Sequence, residues 1–65
     1  MFEQIASPET RLYEIRLITM AGKSILFATA AASDQQAADH AKSLMLRHAC
    51  DSAEVWCDMR LVRRL

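Results

Sequence analysis

The sequence predicts a small α+β domain of order β-β-α-β: a three-stranded sheet, order 2-1-3 and mainly antiparallel, with one helix packed on one face. Three observations predict it. Two alternating runs flank Gly22, a capped amphipathic segment opens at Ser33, and a third alternating run spans residues 53–62.

Size sets the frame. A chain of 65 residues makes one domain, and a domain this small buries only about 60% of the surface its unfolded chain exposes. One thin core is expected, and oligomerisation is a common remedy for its marginal stability. Apolar residues make up 52% of the chain and charged residues 25%, values that suit a globular protein rather than a disordered one. Eight basic and eight acidic side chains cancel. A neutral balance exerts no global pull on nucleic acid or anionic membrane, and it permits self-association.

Residues 1–10 (MFEQIASPET) have no clear period, and Pro8 punctuates them, so they read as a loosely held arm. Met1-Phe2-Glu3-Gln4 carries an early acid and no basic start, unlike a signal peptide. No stretch approaches the ~20 apolar residues of a membrane span. The expected location is the cytoplasm, with Cys50 and Cys57 reduced.

In residues 11–20, Tyr13, Ile15 and Leu17 point one way and Glu14 and Arg16 the other, the period of a half-buried strand. Residues 23–31 alternate again, with Ile25 and Phe27 inward. The hairpin register follows from the faces. A two-residue turn at Ala21-Gly22 would put the two apolar sets on opposite faces. A three-residue loop, Met20-Ala21-Gly22, pairs Leu17 with Ile25 and Ile15 with Phe27, and all four share a face. It also sets Gly22 third, where a left-handed residue is usual.

Ser33 opens the helix. Its hydroxyl can accept from the N–H of Gln36, and Gln36 can reach back, forming a capping box. Asp34 complements the positive end of the helix dipole. Ala37, Ala41, Leu44, Met45 and His48 form one helical face, and the alanines allow a close approach to the sheet. The helix is expected to end near Ala49, with Asp51-Ser52 as a turn. Residues 53–62 then read as one uninterrupted strand. Ala53, Val55, Cys57, Met59 and Leu61 are expected inward; Glu54, Trp56, Asp58, Arg60 and Val62 outward. Residues 63–65 form a short basic tail. The last strand is placed beside the first and antiparallel to it, in preference to the order 1-2-3.

The outer face of this sheet is expected to be mixed rather than plainly polar. Leu12, Ile18, Leu26, Trp56 and Val62 stand among Glu14, Arg16, Glu54, Asp58 and Arg60. Trp and Arg are enriched at interface hot spots, and large apolar patches mark binding surfaces. The interface candidates are Leu12, Arg16, Ile18, Leu26, Trp56, Arg60 and Val62. Scattered exposed apolar residues are nonetheless ordinary on protein surfaces.

Other constellations are weaker. Gly22-Lys23-Ser24 matches the end of a phosphate-binding loop, but that signature needs a glycine where Leu17 stands and a helix where a strand is expected. His40 and His48 are two helical turns apart, about 12 Å, too far to share a zinc ion bound at about 2 Å. Cys57 reads as a small core residue. Cys50 sits at a helix C-terminus beside Asp51, where a thiolate is disfavoured. His48 reads as a ring packed at the sheet edge or a partner of the helix C-terminus. The outer carboxylates and arginines read as cross-strand pairs. No catalytic, cofactor or metal residue is assigned. Arg60, Arg63 and Arg64, with Arg47 and Lys42, are the only basic cluster, and beside Trp56 they could serve a stacking nucleic-acid surface.

The strand RLYEIRLITMAG, the helix opening SDQQAADHA and the closing AEVWCDMRLVRRL together resemble small β-β-α-β proteins of alphaproteobacteria, a group without an assigned activity. The resemblance implies the fold over residues 11–65 and gives no residue a role. The expected function is a non-enzymatic interaction module, homodimeric through the outer sheet face or a strand edge. The alternative is a nucleic-acid or nucleotide-binding module using Trp56 and the C-terminal arginines. An enzyme ranks third, because it would need a pocket between subunits.

Overall fold

The computed structural model describes residues 10–65. Most of the expected N-terminal arm, residues 1–9, lies outside the described residues. Strand β1 spans Arg11–Ile18, β2 Ser24–Ala31, helix α1 Asp34–His48, β3 Ser52–Cys57 and β4 Arg60–Arg64. The strands form one antiparallel sheet in the order β2-β1-β3-β4. The α+β class, one helix among the described residues and the central place of β1 match expectation; the fourth strand does not.

The first hairpin has the expected register. Leu17 stands opposite Ile25 and Ile15 opposite Phe27. Thr19 N–H donates to the Lys23 carbonyl at 2.9 Å, closing the loop Met20-Ala21-Gly22. Lys23 N–H donates to Thr19 Oγ1 at 3.1 Å. Gly22 has φ +84°, the left-handed conformation that a residue without Cβ adopts without strain.

The helix opens as its sequence dictates. Ser33 Oγ accepts from Gln36 N–H at 3.1 Å. The Gln36 amide oxygen reaches back one residue further than a capping box requires and accepts from Ala32 N–H at 2.6 Å. Ala49 ends the helix with φ 53°, and its N–H donates to the Met45 carbonyl. Ala37, Ala38 and Ala41 are fully buried, Ala37 and Ala41 within the core cluster, and Leu44 and Met45 pack against that cluster. Helix β-carbons this small let the backbone settle close to Tyr13, Ile15, Leu17, Ala53 and Val55, which form the other half of the core.

The expected strand 53–62 is two strands joined by a tight turn. Cys57 pairs with Arg60 across Asp58-Met59, whose φ values are 53° and 64°. Two consecutive left-handed residues in a two-residue loop match a type I′ turn, whose twist suits antiparallel strands. The chain folds back instead of running on, and every residue beyond the turn changes place. Met59, expected in the core, is 94% exposed at the turn. Leu61 stands opposite Trp56 on the outer face rather than inward. Arg60, opposite Cys57, lies on the helix side. Val62 is the extra residue of a bulge, where the register slips from Val55–Arg63 to Trp56–Leu61, and it packs against the core instead of facing out. The residues expected as a tail continue the ladder: Leu65 and Ala53 exchange backbone hydrogen bonds at 2.8 and 3.3 Å.

Side-chain bonds fasten the helix start to this sheet. Tyr13 Oη donates to Asp34 Oδ1 at 2.7 Å, and Arg63 donates to the Gln35 amide oxygen at 3.1 Å.

Candidate functional site

The face away from the helix is built by cross-strand rows. Ala28, Glu14, Trp56 and Leu61 form one row across the four strands; Leu26, Arg16, Glu54 and Arg64 form the next. Directly opposed residues share a face, so each row is a line of neighbouring side chains. Leu12 is 70% and Leu26 56% exposed, and with Trp56 and Met59 they border a depression of about 410 Å³. Glu14 and Asp58 also border it.

Glu54 organises the second row. It lies 3.8 Å from Arg16 and 3.6 Å from Arg64, and its Oε1 accepts from Trp56 Nε1 at 3.1 Å. Arg16 also stacks over the indole, 5.5 Å from the ring centroid. One face of Trp56 is therefore covered by a guanidinium, and two cations share one carboxylate. The covered ring face is one that a base-stacking nucleic-acid surface would leave open. Glu14, between Ala28 and Trp56, makes no ion pair among the described residues. Pressing a second copy flat over it would take a lone carboxylate out of water, which is costly.

Of the interface candidates, Leu12, Arg16, Ile18, Leu26 and Trp56 lie on this face as expected. Arg60 and Val62 do not, and Leu61, Arg64 and Met59 take their place. The signal that could have found them is Asp58, a residue that tolerates the left-handed conformation.

Among the described residues the sheet has two free edges of opposite character. On β4, Arg60, Arg63 and Arg64 and the bulge interrupt the edge with charge and a local twist, both means of discouraging further pairing. On β2, Ser24–Ala31 carries no charge, no proline and no bulge. The Thr19–Lys23 bond sets which backbone groups are used. Hydrogen bonding alternates along an antiparallel pair, so Ile25, Phe27, Thr29 and Ala31 face β1. The N–H and C=O groups of Ser24, Leu26, Ala28 and Ala30 point out from the edge.

The remaining candidates have local partners. His40 Nδ1 lies 3.0 Å from Thr29 Oγ1, and the His48 ring packs against Phe27 with centroids 5.3 Å apart. Cys57 is buried, with Sγ 3.7 Å from the Leu12 carbonyl; Cys50 Sγ lies 3.6 Å from the His48 carbonyl. Among the described residues no three His, Cys, Asp or Glu side chains converge on a metal position. Gly22-Lys23-Ser24 leads into a strand, which removes the helix N-terminus that a phosphate loop requires. No described helix is long and apolar enough to cross a membrane. The Tyr13 phenol is held above its usual pKa, first by the hydrogen bond to Asp34, then by burial and the Asp34 charge.

No family model, curated protein or solved structure matches this chain.

Proposed function

We propose that this chain is a non-enzymatic interaction module that works as a homodimer. The observation that carries the reading is the surface left over on the β2 side of the sheet. There an edge without a single charge, free among the described residues, adjoins exposed Leu12 and Leu26. Natural proteins normally shield such an edge or use it. The other edge, with three arginines, is of the shielded kind. The core supports the reading from another direction. The fully buried part of its helix side is three alanines, with Leu44 and Met45 only partly buried beside them, so the burial that stabilises a longer domain is scarce here, and association adds to it. Zero net charge sets no repulsion between copies.

Sedimentation equilibrium of the wild type over a wide concentration range tests the reading. A mass of two chains that falls toward one on dilution is the expected result. One chain at every concentration overturns it.

A further inference from the structure

Resting on the homodimer reading, we propose that two copies join through their β2 edges, antiparallel, about a two-fold axis at Phe27, making one eight-stranded sheet. Each step follows from groups on the edge. A two-fold axis perpendicular to a sheet pairs residue i with its own counterpart, so opposed residue numbers have an even sum. Inner then meets inner and outer meets outer, and both helices lie on the same side. The outward backbone groups belong to Ser24, Leu26, Ala28 and Ala30, and the midpoint of that set is Phe27. Only this register gives all four a partner: Ser24 opposes the second copy's Ala30, and Leu26 its Ala28. Eight hydrogen bonds result, two for each opposed pair. Shifting the axis to Leu26 or Ala28 leaves at least one residue of the set unmatched.

The side chains agree with the register. The two Phe27 rings meet on the helix side as a non-hydrogen-bonded pair, the closer of the two kinds of antiparallel pair, where aromatic side chains contribute to strand pairing. On the outer face Leu26 meets Ala28, large against small. No charge of one copy meets a like charge of the other, since none lies between Lys23 and Asp34. The contact leaves Glu14 in water, which a face-to-face dimer would not.

The test compares wild type, Ala28→Pro and Trp56→Glu by sedimentation equilibrium, with circular dichroism to confirm the fold. Ala28 N–H points away from β1, so proline costs the subunit no internal bond, but it removes two hydrogen bonds per dimer and sets a ring in the contact. Ala28→Pro is expected to weaken the dimer by about tenfold or more, and Trp56→Glu to leave it intact. If Ala28→Pro does not fold, Leu26→Lys replaces it, placing two ammonium groups across the axis, with the same loss expected. A wild-type dimer that survives the edge variant and is lost in Trp56→Glu overturns edge pairing and keeps the homodimer. A wild-type monomer overturns both. Register is read separately by mild oxidation. Leu26→Cys with Ala28→Cys should cross-link two copies, because the opposed backbones lie within disulfide reach. Rapid cross-linking by Ala28→Cys alone would move the axis to residue 28 and overturn the register.

Discussion

At the scale of single residues, β1 carries most of the large buried volume. Tyr13, Ile15 and Leu17 are almost wholly buried, and Val55 is the one comparably large neighbour. Ile15→Ala should cost about 2–5 kcal/mol. A chain of 65 residues at ~0.05–0.15 kcal/mol per residue holds about 3–10 kcal/mol, so the loss takes a large share of it and urea denaturation should find a much lower midpoint. Tyr13 adds a dependence on pH. Its phenol is raised above the ordinary 10.0, chiefly because it donates to Asp34. The folded state therefore holds the proton more tightly than the unfolded chain. The stability that the bond contributes is fully present below about pH 10 and is lost as pH rises through the folded-state value. Thermal melts from pH 8 upward should show a decline above pH 10 that is shallower in Tyr13→Phe. Equal slopes would remove Tyr13 as its source.

Among the elements, the second hairpin is where reading residues in order meets its limit. The first hairpin was legible because Gly22 is a conspicuous break and because four apolar side chains admit one shared face. The helix was legible from Ser33, Gln36 and the alanine stripe. Asp58-Met59 offers neither signal. It sits inside a period of two that continues unbroken to Val62, so nothing in the pattern marks the two-residue turn that reverses which residues face the core. Met59 lacks the glycine that usually occupies the second left-handed position. The consequence fell on the candidate surface, since Arg60 and Val62 exchanged faces with Leu61. Backbone pairing, not hydrophobic pattern, distinguishes the two edges as well, because the alternation runs straight through the turn that separates β3 from β4. The same turn yields a prediction. Met59 is almost fully exposed and buries nothing, while its backbone holds φ 64°. Met59→Gly should stabilise the protein by about 1 kcal/mol, raising Tm by roughly 4–8 °C for a domain of this size. An unchanged or lower Tm would mean that the turn conformation is not what limits the hairpin.

For the whole molecule, association and stability become one quantity. A homodimer that binds only in its folded form has a melting temperature that rises with protein concentration. Melts across a hundredfold range should show the rise in wild type and lose it in Ala28→Pro. The sheet order also bears on how the chain acquires its fold. β1 is central although it is made before every other strand. Its partnership with β2 is local, closed across three residues, whereas β3 reaches it only after the helix has been synthesised. During translation a hairpin of β1 and β2 would thus leave the ribosome with one flank of β1 unpaired and most of the core side chains uncovered. Segments in that condition are the ones that mispair with neighbouring chains. The interval lasts for roughly twenty-five residues of synthesis, a second or a few at ~5–20 residues per second. The alanine-faced helix arrives first to cover the apolar side, and β3 then closes the flank, so the closing segment with Trp56 completes the fold rather than decorating it.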